Sequence, residues 1–282
     1  MQVTTYSAAQ DFLTQVQATL EQDEAANNVM LGVALRVAWG VPYGDHPPYF
    51  ATVGDEQGLA LAALMTPPHN LSLYGHDNRW PAALEPLAVN LRDGGWPVSG
   101  VIGRIEVAEA FARVWSRVAG VPWRVNMRQR IYELTQVVYS PTPPGHFRPA
   151  TEADVDVVTD WAVAFEREAL DGEPDPATAR SGITRRIGEQ GIYLWDDGGP
   201  VSMAAWGRPM QHSIIVNLVY TPPDLRGKGY ASAVVARLSR LLLERGYTRC
   251  VLHTNLANPT SNSIYQRIGY RPVLDFNEYR FG

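Results

Sequence analysis

The chain has 282 residues, of which 45% are hydrophobic and 19% charged, and this composition excludes wholesale disorder. Its net charge of -5 argues against nonspecific nucleic-acid binding, and no apolar run is long enough to cross a membrane. The length suits two domains of about 140 residues each. The start of the chain does not resemble a secretory signal, and the single cysteine, Cys250, can form no internal disulfide, so we expect a cytoplasmic protein.

The first half of the chain is predicted to begin with helices. Ser7 and Gln10 form an S-x-x-Q pattern, which is typical of a capping box and predicts the start of the first helix. Turn residues at 55–58 and the pair Pro67-Pro68 separate three segments with the character of strands. The remaining expected elements are helices over about 21–38, 81–93 and 106–118 and strands over 98–103 and 127–138.

A proline-rich segment then interrupts the regular pattern. Residues 139–145 contain three prolines and one glycine, a composition that does not form regular structure. We therefore predict two domains, 1–138 and 146–282, joined by this linker.

The second half repeats the order of the first. Thr151, with Asp154 three residues later, predicts a capped helix start. Gly246 is expected to close a later helix, in the position typical of a glycine that follows a helix end. The other expected elements are a hairpin over 191–207, a strand over 213–220, a helix over 228–245, a strand over 249–254, a helix over 260–268 and one or two strands over 270–281. The shared order suggests a divergent duplication.

The most informative segment follows the apolar strand that ends at Tyr220. The residues from Leu225 to Ala231 contain Gly227 and Gly229 and open a helix. A helix N-terminus carries unpaired N–H groups and partial positive charge, and glycines let an anion approach the backbone. Arg226 and Lys228 add formal charge at the same point. The pattern indicates a phosphate site, but it is neither a P-loop nor a dinucleotide fingerprint.

A second motif begins at Asn258 and ends at Tyr270. With the loop before it, the sequence resembles the GNAT superfamily of acyl-CoA-dependent N-acetyltransferases over about residues 146–282. The R/Q-x-x-G-x-G/A loop of that superfamily is matched by Arg226, Gly229 and Ala231. Its N-x-x-[AS]-x-x-[LI]-Y-x-x-x-G-[FY] motif is matched by Asn258, Ser261, Ile264, Tyr265, Gly269 and Tyr270.

The resemblance implies a fold, an activity and a set of site residues. The fold class is α/β (α+β), with two GNAT-like domains, each a mixed, mostly antiparallel twisted sheet flanked by helices. The activity is transfer of an acetyl group from acetyl-CoA to a primary amine by direct attack in a ternary complex, without a metal. Tyr265 would protonate the leaving thiolate. The implied cofactor-binding residues are Leu218, Val219, Tyr220, Arg226, Gly227, Lys228, Gly229, Tyr230, Ala231, Asn258 and Ser261.

Two roles stay open at this point. Lys228, the only lysine of the chain, could contact a phosphate or be a solvent-facing loop cation. The general base has no clear candidate, because Asn217 stands where many relatives have a glutamate. The alternatives are a base acting through water, an amine that arrives neutral, or one of Glu166, Glu168, His212, His253, Asp275, Glu278 and the chain-end carboxylate at Gly282.

The first half resembles a degenerate copy of the same fold. Trp115 stands where the acid tyrosine would be, and no R-x-x-G-x-G/A loop occurs between residues 70 and 100. We expect this half not to bind CoA in the usual way, but to shape the acceptor groove or support the second half. The partners expected are acetyl-CoA and an amine, with no nucleic acid and no membrane, for a monomer or homodimer.

Two further hypotheses remain beside the acetyltransferase. One is a non-catalytic acyl-CoA-binding sensor or scaffold, which the missing strand glutamate favours. The other is an aminoacyl-tRNA-dependent peptidyltransferase, since such proteins also use paired GNAT-like domains. The CoA loop and the acidic net charge argue against the latter.

Overall fold

The computed structural model describes residues 1–41, 46–170 and 174–282, and it divides the chain into two compact units. The first unit comprises 1–131, 255–257 and 273–282, and the second comprises 132–254 and 258–272. Residues 273–282 therefore pack in the first unit, although they follow the second unit along the chain. The predicted domains, by contrast, assign these residues to 146–282.

Each half of the chain has the same succession of strands and helices. In the first half these are β1 (Gln2–Tyr6), α1 (Ala9–Leu20), α2 (Glu24–Ala38), β2 (Tyr49–Asp55), β3 (Gly58–Met65), β4 (Leu71–Gly75), α3 (Trp80–Asp93), β5 (Gly100–Arg104), α4 (Ile105–Ala119) and β6 (Trp123–Leu134). In the second half they are β7 (His146–Pro149), α5 (Val155–Leu170), α6 (Pro176–Gly188), β8 (Ile192–Asp196), β9 (Pro200–Gly207), β10 (Ser213–Tyr220), α7 (Tyr230–Glu244), β11 (Arg249–Asn255), α8 (Pro259–Ile268) and β12 (Arg271–Phe281). This repeated order is the one expected of a duplication.

The sheet of the first unit has the strand order β1-β2-β3-β4-β5-β12-β6. Strands β4 and β5 run parallel, and their pairing covers only two residues of each, from Leu71 opposite Val101 to Ser72 opposite Ile102. Strand β12 runs antiparallel to β5, with Phe276–Arg280 opposite Gly100–Arg104. The end of the chain is thus one strand, and it supplies an interior strand of the first unit.

The sheet of the second unit has the order β11-β10-β9-β8-β7. Only β10 and β11 are parallel, and their pairing joins Ser213–Ile215 to Arg249–Val251. The other neighbours are antiparallel. The predicted fold class, a mixed and mostly antiparallel sheet with flanking helices, is therefore confirmed.

Apolar side chains cover both faces of the second sheet. On one face Val216 and Leu252 pack with Leu238 of α7 and Ile268 of α8. On the other face Met203 and Tyr220 pack with α5 and α6. Because α7 and α8 are held by this burial, the loops that open them have fixed positions relative to β10.

Two local features differ from the sequence predictions. The predicted capping box at Ser7 and Gln10 is wrong: the N-cap residue is Ala8, which makes no side-chain cap bond, and Ser7 follows an unpredicted strand, β1. Helix α6 was also not predicted, because it buries only Ile183 and Ile187 and otherwise has a polar surface. The capping box of Thr151 and Asp154 is confirmed, and both of its hydrogen bonds are present.

We expect the first unit to depend on β12 for its stability. Tyr279 is 1% exposed and packs edge-on against Trp123, with ring centroids 5.4 Å apart. Tyr279→Ala should lower the free energy of unfolding by about 3 kcal/mol, since it leaves a large cavity. The loss is measured by urea denaturation, and amide exchange should locate it in β5.

Tyr139→Ala provides the matched control, because Tyr139 is 50% exposed. It should change stability by less than about 0.5 kcal/mol. Equal effects of the two substitutions would show that β12 does not stabilise the first unit.

Candidate active site

The central feature of the second unit is a bulge in β10. Asn217 lies opposite Ala205 and Tyr220 opposite Met203, so β10 contains one more residue than β9 over this stretch. Leu218 has a φ of +50°, a conformation that a side chain of its type rarely adopts. Among the described ladders, none pairs Leu218 or Val219, as is typical of residues in a bulge.

Buried hydroxyls fix the end of β10 beyond the bulge. The Ser202 hydroxyl lies 3.1 Å from the carbonyl oxygen of Tyr220 and donates to it. The same hydroxyl lies 2.8 Å from that of Thr221, and both residues are buried. These contacts hold the start of the glycine-containing loop against β9.

The two loop glycines are required by backbone conformation. Gly227 has a φ of +80° and Gly229 a φ of +87°, both in the left-handed region. A Cβ atom added at either position would meet no atom within 4 Å, so space around them does not demand glycine. Gly229 is the N-cap residue of α7 and makes no side-chain cap bond, which leaves the first N–H groups of that helix to another acceptor.

Arg226 is held by three groups on its own unit. Its Nε donates to the carbonyl oxygen of Thr221 at 2.9 Å, and its Nη2 donates to Oε2 of Glu168 at 2.6 Å. The guanidinium also lies over the ring of Tyr220, 5.6 Å from the centroid. Tyr220 donates its hydroxyl to Oε1 of Glu168 at 2.8 Å. The Arg226 guanidinium, and after it the Tyr220 hydroxyl, keep the pKa of Glu168 below its ordinary value.

The start of α7 is tied to the β8–β9 turn. The Tyr230 hydroxyl donates to Oδ2 of Asp197 at 2.6 Å, and this hydrogen bond raises the pKa of the tyrosine. Lys228 is exposed and Ala231 half-buried. The predicted loop residues therefore lie together at one helix N-terminus, with a cation on the solvent side.

Asn258 and Ser261 cap helix α8. Asn258 is the N-cap residue, and its Oδ1 accepts from the backbone N–H of Ser261 at 3.0 Å. Asn262 reinforces this end by donating its side-chain amide to the carbonyl oxygen of Asn258 at 2.7 Å. This arrangement explains the spacing of asparagine and serine in the motif by helix capping alone.

Tyr265 lies on the inward face of α8. Its side chain is 8% exposed and packs against Tyr270, with ring centroids 6.0 Å apart. Burial raises its pKa to about 12, so the phenol stays protonated at neutral pH. A protonated phenol next to a reacting sulfur could act as a proton donor.

Asn217 is engaged by an arginine that the sequence did not single out. The Arg186 guanidinium donates to Oδ1 of Asn217 at 2.7 Å and to the carbonyl oxygen of Trp206 at 2.9 Å. Arg186 belongs to the unpredicted helix α6, so no spacing rule could have found it. Asn217 is thus a neutral amide bound to a cation.

The candidate general bases of the second unit differ in their burial and in the groups that contact them. Glu168 is occupied by Arg226 and Tyr220, as described above. His253 is half-buried, and desolvation, with a smaller effect of Arg208, lowers its pKa to about 3, so its imidazole is neutral. Glu166 is half-buried on α5, and His212 is exposed.

The remaining acidic candidates lie in the first unit. Asp275 pairs with Arg130, whose Nε donates to it at 2.5 Å, and the ion pair lowers the pKa of the aspartate. Glu278 accepts from the side-chain amides of Asn70 at 2.9 Å and Asn126 at 2.8 Å. Gly282 follows β12, and its N–H donates to the carbonyl oxygen of Pro122 at 3.1 Å.

In the first unit, different residues stand at the positions that correspond to Tyr265 and to the glycine loop. Trp115 is 6% exposed and stacks with Phe111, with centroids 6.2 Å apart. Between β4 and α3, the Asp77 carboxylate accepts from the backbone N–H of Arg79 at 2.9 Å and from its guanidinium. An acidic side chain therefore occupies the loop before α3, where the second unit has two glycines.

The described ranges contain no group of three His, Cys, Asp or Glu side chains arranged to hold a metal ion. Within the same ranges, none of the helices combines the length and apolarity needed to cross a bilayer.

The order of strands and helices in each unit is that of the GNAT fold, and solved structures with this fold in tandem cover the whole chain. A tandem GNAT protein from the clavulanic acid biosynthesis pathway has a similar structure, with a TM-score of 0.57 and 12% identity over 100% of this chain and 98% of that one. A GCN5-related N-acetyltransferase from Sphaerobacter thermophilus has a TM-score of 0.65 and 14% identity, over 99% of this chain and 95% of that one. A GNAT-family acetyltransferase from Colwellia psychrerythraea has a TM-score of 0.61 and 10% identity, over 100% of this chain and 99% of that one.

Residues 190–281 match the model of the FR47-like protein family, which is related to the GNAT superfamily. No curated protein matches the chain. The matched residues include β10, the glycine loop and α8. The predicted resemblance to the GNAT superfamily is therefore confirmed at the level of the fold, and the predicted roles of individual residues remain proposals.

The Glu168–Arg226 pair should restrain the glycine loop. Glu168→Gln removes the charge that holds the guanidinium, so the amides of 226–229 should exchange about two- to fivefold faster, as expected for a partly exposed ion pair. Amide exchange at neutral pH, followed by NMR, gives the rates. Glu166→Gln, on the same helix, should leave them unchanged, and equal rates in both variants would exclude this restraint.

Proposed function

We propose that this protein transfers an acetyl group from acetyl-CoA to a primary amine. The observation that carries the proposal is the combination, within one unit, of a bulged strand that leaves its parallel neighbour and a glycine loop at a helix N-terminus. The bulged strand offers unpaired backbone groups to an extended amide chain, and the glycine loop offers N–H groups to a diphosphate.

The backbone contributes more to diphosphate binding in this proposal than Arg226 does. The Arg226 guanidinium already pairs with Glu168 and Thr221, so its role is to hold the loop in shape. The amides from Gly227 to Ala231 then face the anion, together with the positive end of α7. Lys228, which is exposed, supplies the cation nearest to the phosphates.

The chemistry requires one bond to form and one to break. The amine nitrogen attacks the thioester carbonyl carbon, and the backbone N–H of Val219 or Tyr220 stabilises the oxyanion. When the carbon–sulfur bond breaks, Tyr265 gives its proton to the leaving thiolate. The nitrogen loses one proton to water, Tyr265 regains one proton from water, and the products are an amide and free CoA with its thiol restored.

In this proposal the amine reaches the reaction centre in its neutral form. Asn217 cannot accept a proton, and its oxygen is bound to Arg186. A histidine with a pKa of about 3, as His253 has, is a weak base. Loss of the ammonium proton to water before attack avoids the need for a strong base in the protein.

The direct test is turnover with acetyl-CoA. Release of the free thiol should be measured with the full chain across a panel of small amines, amino acids, polyamines and peptide N-termini. We expect at least one acceptor to give thiol release with formation of its amide, confirmed by mass spectrometry. Binding of acetyl-CoA without turnover on any acceptor would contradict the proposal.

Two substitutions should separate the chemical step from binding. Tyr265→Phe removes the proton donor and should lower kcat by about 10²-fold while changing the Kd for acetyl-CoA little, because the ring stays in place. An unchanged kcat for Tyr265→Phe would remove Tyr265 from the acid role.

Lys228→Ala should raise the KM for acetyl-CoA about two- to threefold with kcat unchanged, as for loss of one exposed charge contact.

One observation favours a second candidate function. The amide at Asn217, fixed by Arg186, suits a protein that binds acyl-CoA without transferring the group. A sensor of this kind would bind acetyl-CoA with defined stoichiometry and release no thiol with any acceptor. The turnover experiment therefore distinguishes the two functions.

A further inference from the structure

Asn217 projects from the face of the second sheet that α5 and α6 cover. Its partner across the ladder is Ala205, and Ala205 in turn lies opposite Ile192. Side chains of directly opposed residues lie on the same face of a sheet. Ala205 and Ile192 are buried together with residues of α5 and α6, so Asn217 lies on that face as well, one residue before the bulge at Leu218.

The guanidinium of Arg186 fixes the orientation of the Asn217 carboxamide. The Nη2 nitrogen of Arg186 donates to the carbonyl oxygen of Trp206 at 2.9 Å and to Oδ1 of Asn217 at 2.7 Å. A guanidinium has only donors, so a flipped carboxamide would place N–H groups against N–H groups. The Nδ2 amino group of Asn217 therefore points away from Arg186.

The Nδ2 amino group of Asn217 is available to a ligand. Asn217 is half-buried, and within the described ranges its Nδ2 donates to no protein atom. Among the described side chains, the enclosed polar atoms without a partner belong to Thr159 and Arg249, so Nδ2 of Asn217 is not enclosed. It is an oriented donor at the surface of the candidate site.

Under the proposed function, the acceptor amine approaches from the face on which Asn217 lies. Tyr265, the proposed proton donor to sulfur, packs with Val216 on the opposite face, which α7 and α8 cover. The nitrogen that attacks and the sulfur that leaves are separate substituents of one carbon, so they lie on different sides of it. With the sulfur toward Tyr265, the amine comes from the side of α5 and α6.

The pair formed by Asn217 and Arg186 favours an oxygen atom on the acceptor. Oδ1 of Asn217 is the one acceptor atom of the two side chains, and it is already bound to the guanidinium. The pair therefore presents donors, and an ammonium group, which also has only donors, finds no partner in it. A carboxylate accepts from N–H groups and forms the stronger, charge-assisted hydrogen bond.

The carboxylate of Glu168 on α5 does not reverse this preference. Its two oxygens accept from the Tyr220 hydroxyl and from the Arg226 guanidinium. The charge of Glu168 is thus compensated within the unit, and its oxygens are engaged. A second ammonium group, such as a polyamine has, gains no free carboxylate from this residue.

We propose that the acceptor is an amino acid whose carboxylate accepts a hydrogen bond from Nδ2 of Asn217 while its amine attacks the thioester. Asn217 determines the specificity for the carboxylate, and Arg186 is a positioning residue that orients the Asn217 amide. This inference rests on the proposed acetyl transfer and names the substrate class of that same site.

The test compares acceptors that differ in the carboxylate. Thiol release from acetyl-CoA by the full chain is measured with the common amino acids. The best of them is then compared with its carboxamide, with its decarboxylated amine, and with putrescine and spermidine, at equal concentrations of unprotonated amine. We expect kcat/KM for the amino acid to exceed that for the decarboxylated amine and the polyamines at least about tenfold, since they lack the charge-assisted hydrogen bond.

A substitution of Asn217 tests the specificity. Asn217→Asp keeps the size of the side chain but replaces the donor with a carboxylate, which repels that of the amino acid. The ratio of kcat/KM for the amino acid to kcat/KM for its decarboxylated amine should fall at least about tenfold. A merely structural defect would lower both values and leave their ratio unchanged.

Substitutions of Arg186 test the positioning. Arg186→Gln should lower the same ratio about two- to fivefold, because the Asn217 amide loses its fixed orientation. Arg186→Lys keeps a donor for Oδ1 and should restore most of the ratio. Arg185→Gln is the matched control, because Arg185 is exposed on the same helix and pairs with Glu189; it should leave the ratio unchanged.

A binding measurement distinguishes failure of this inference from failure of acetyl transfer. The same amino acids are titrated into the full chain with CoA present, and the side-chain amide of Asn217 is followed by NMR. We expect its signals to shift with at least one amino acid and not with the matching decarboxylated amine. Absence of turnover with every acceptor would contradict acetyl transfer, but this titration would still show whether Asn217 recognises a carboxylate.

Three results would overturn the inference. The first is a kcat/KM for the decarboxylated amine or a polyamine that equals or exceeds the value for every amino acid, which would leave acetyl transfer itself supported. The second is an unchanged ratio in Asn217→Asp. The third is an Asn217 amide signal that shifts with no amino acid, whether or not turnover occurs.

Discussion

The separation of two parallel strands is the constraint on which the architecture of the second unit depends. Strand β10 leaves β11 after three paired residues, and the bulge at Leu218 sends its end away from the ladder. A leucine at positive φ is strained by about 1–3 kcal/mol, so it persists only where its surroundings hold it. The Ser202 hydroxyl and the packing of Leu218 and Tyr220 against α5 and α6 supply that support.

Glu168 links helix α5 to this divergence. Its two oxygens accept from Tyr220, at the end of β10, and from Arg226, at the start of the glycine loop. One carboxylate therefore sets the distance between the strand and the loop that follows it. Arg226, the arginine of the loop motif, therefore holds the loop in shape through contacts within the protein, whether or not it also contacts a ligand.

The sequence predicted the parts of the molecule in which local chemistry and spacing decide the structure. The glycine loop, the capping box at Thr151 and the motif around Tyr265 each depend on a few neighbouring residues, and each could be located. The sequence could not predict the Arg186–Asn217 contact, because it joins residues of distant elements and α6 has only two buried residues. The Glu168 contacts were missed for the same reason: they arise from packing rather than from a pattern.

Strand β12 has a consequence for the order in which the molecule can form during synthesis. Its residues pair with β5 in the first unit, yet they leave the ribosome only after the whole second unit. Until then the nascent first unit exposes a strand edge that can pair with another chain. The edge is covered only after residues 276–280 have left the ribosome, so a chain truncated in its second half keeps this edge exposed and is prone to aggregation.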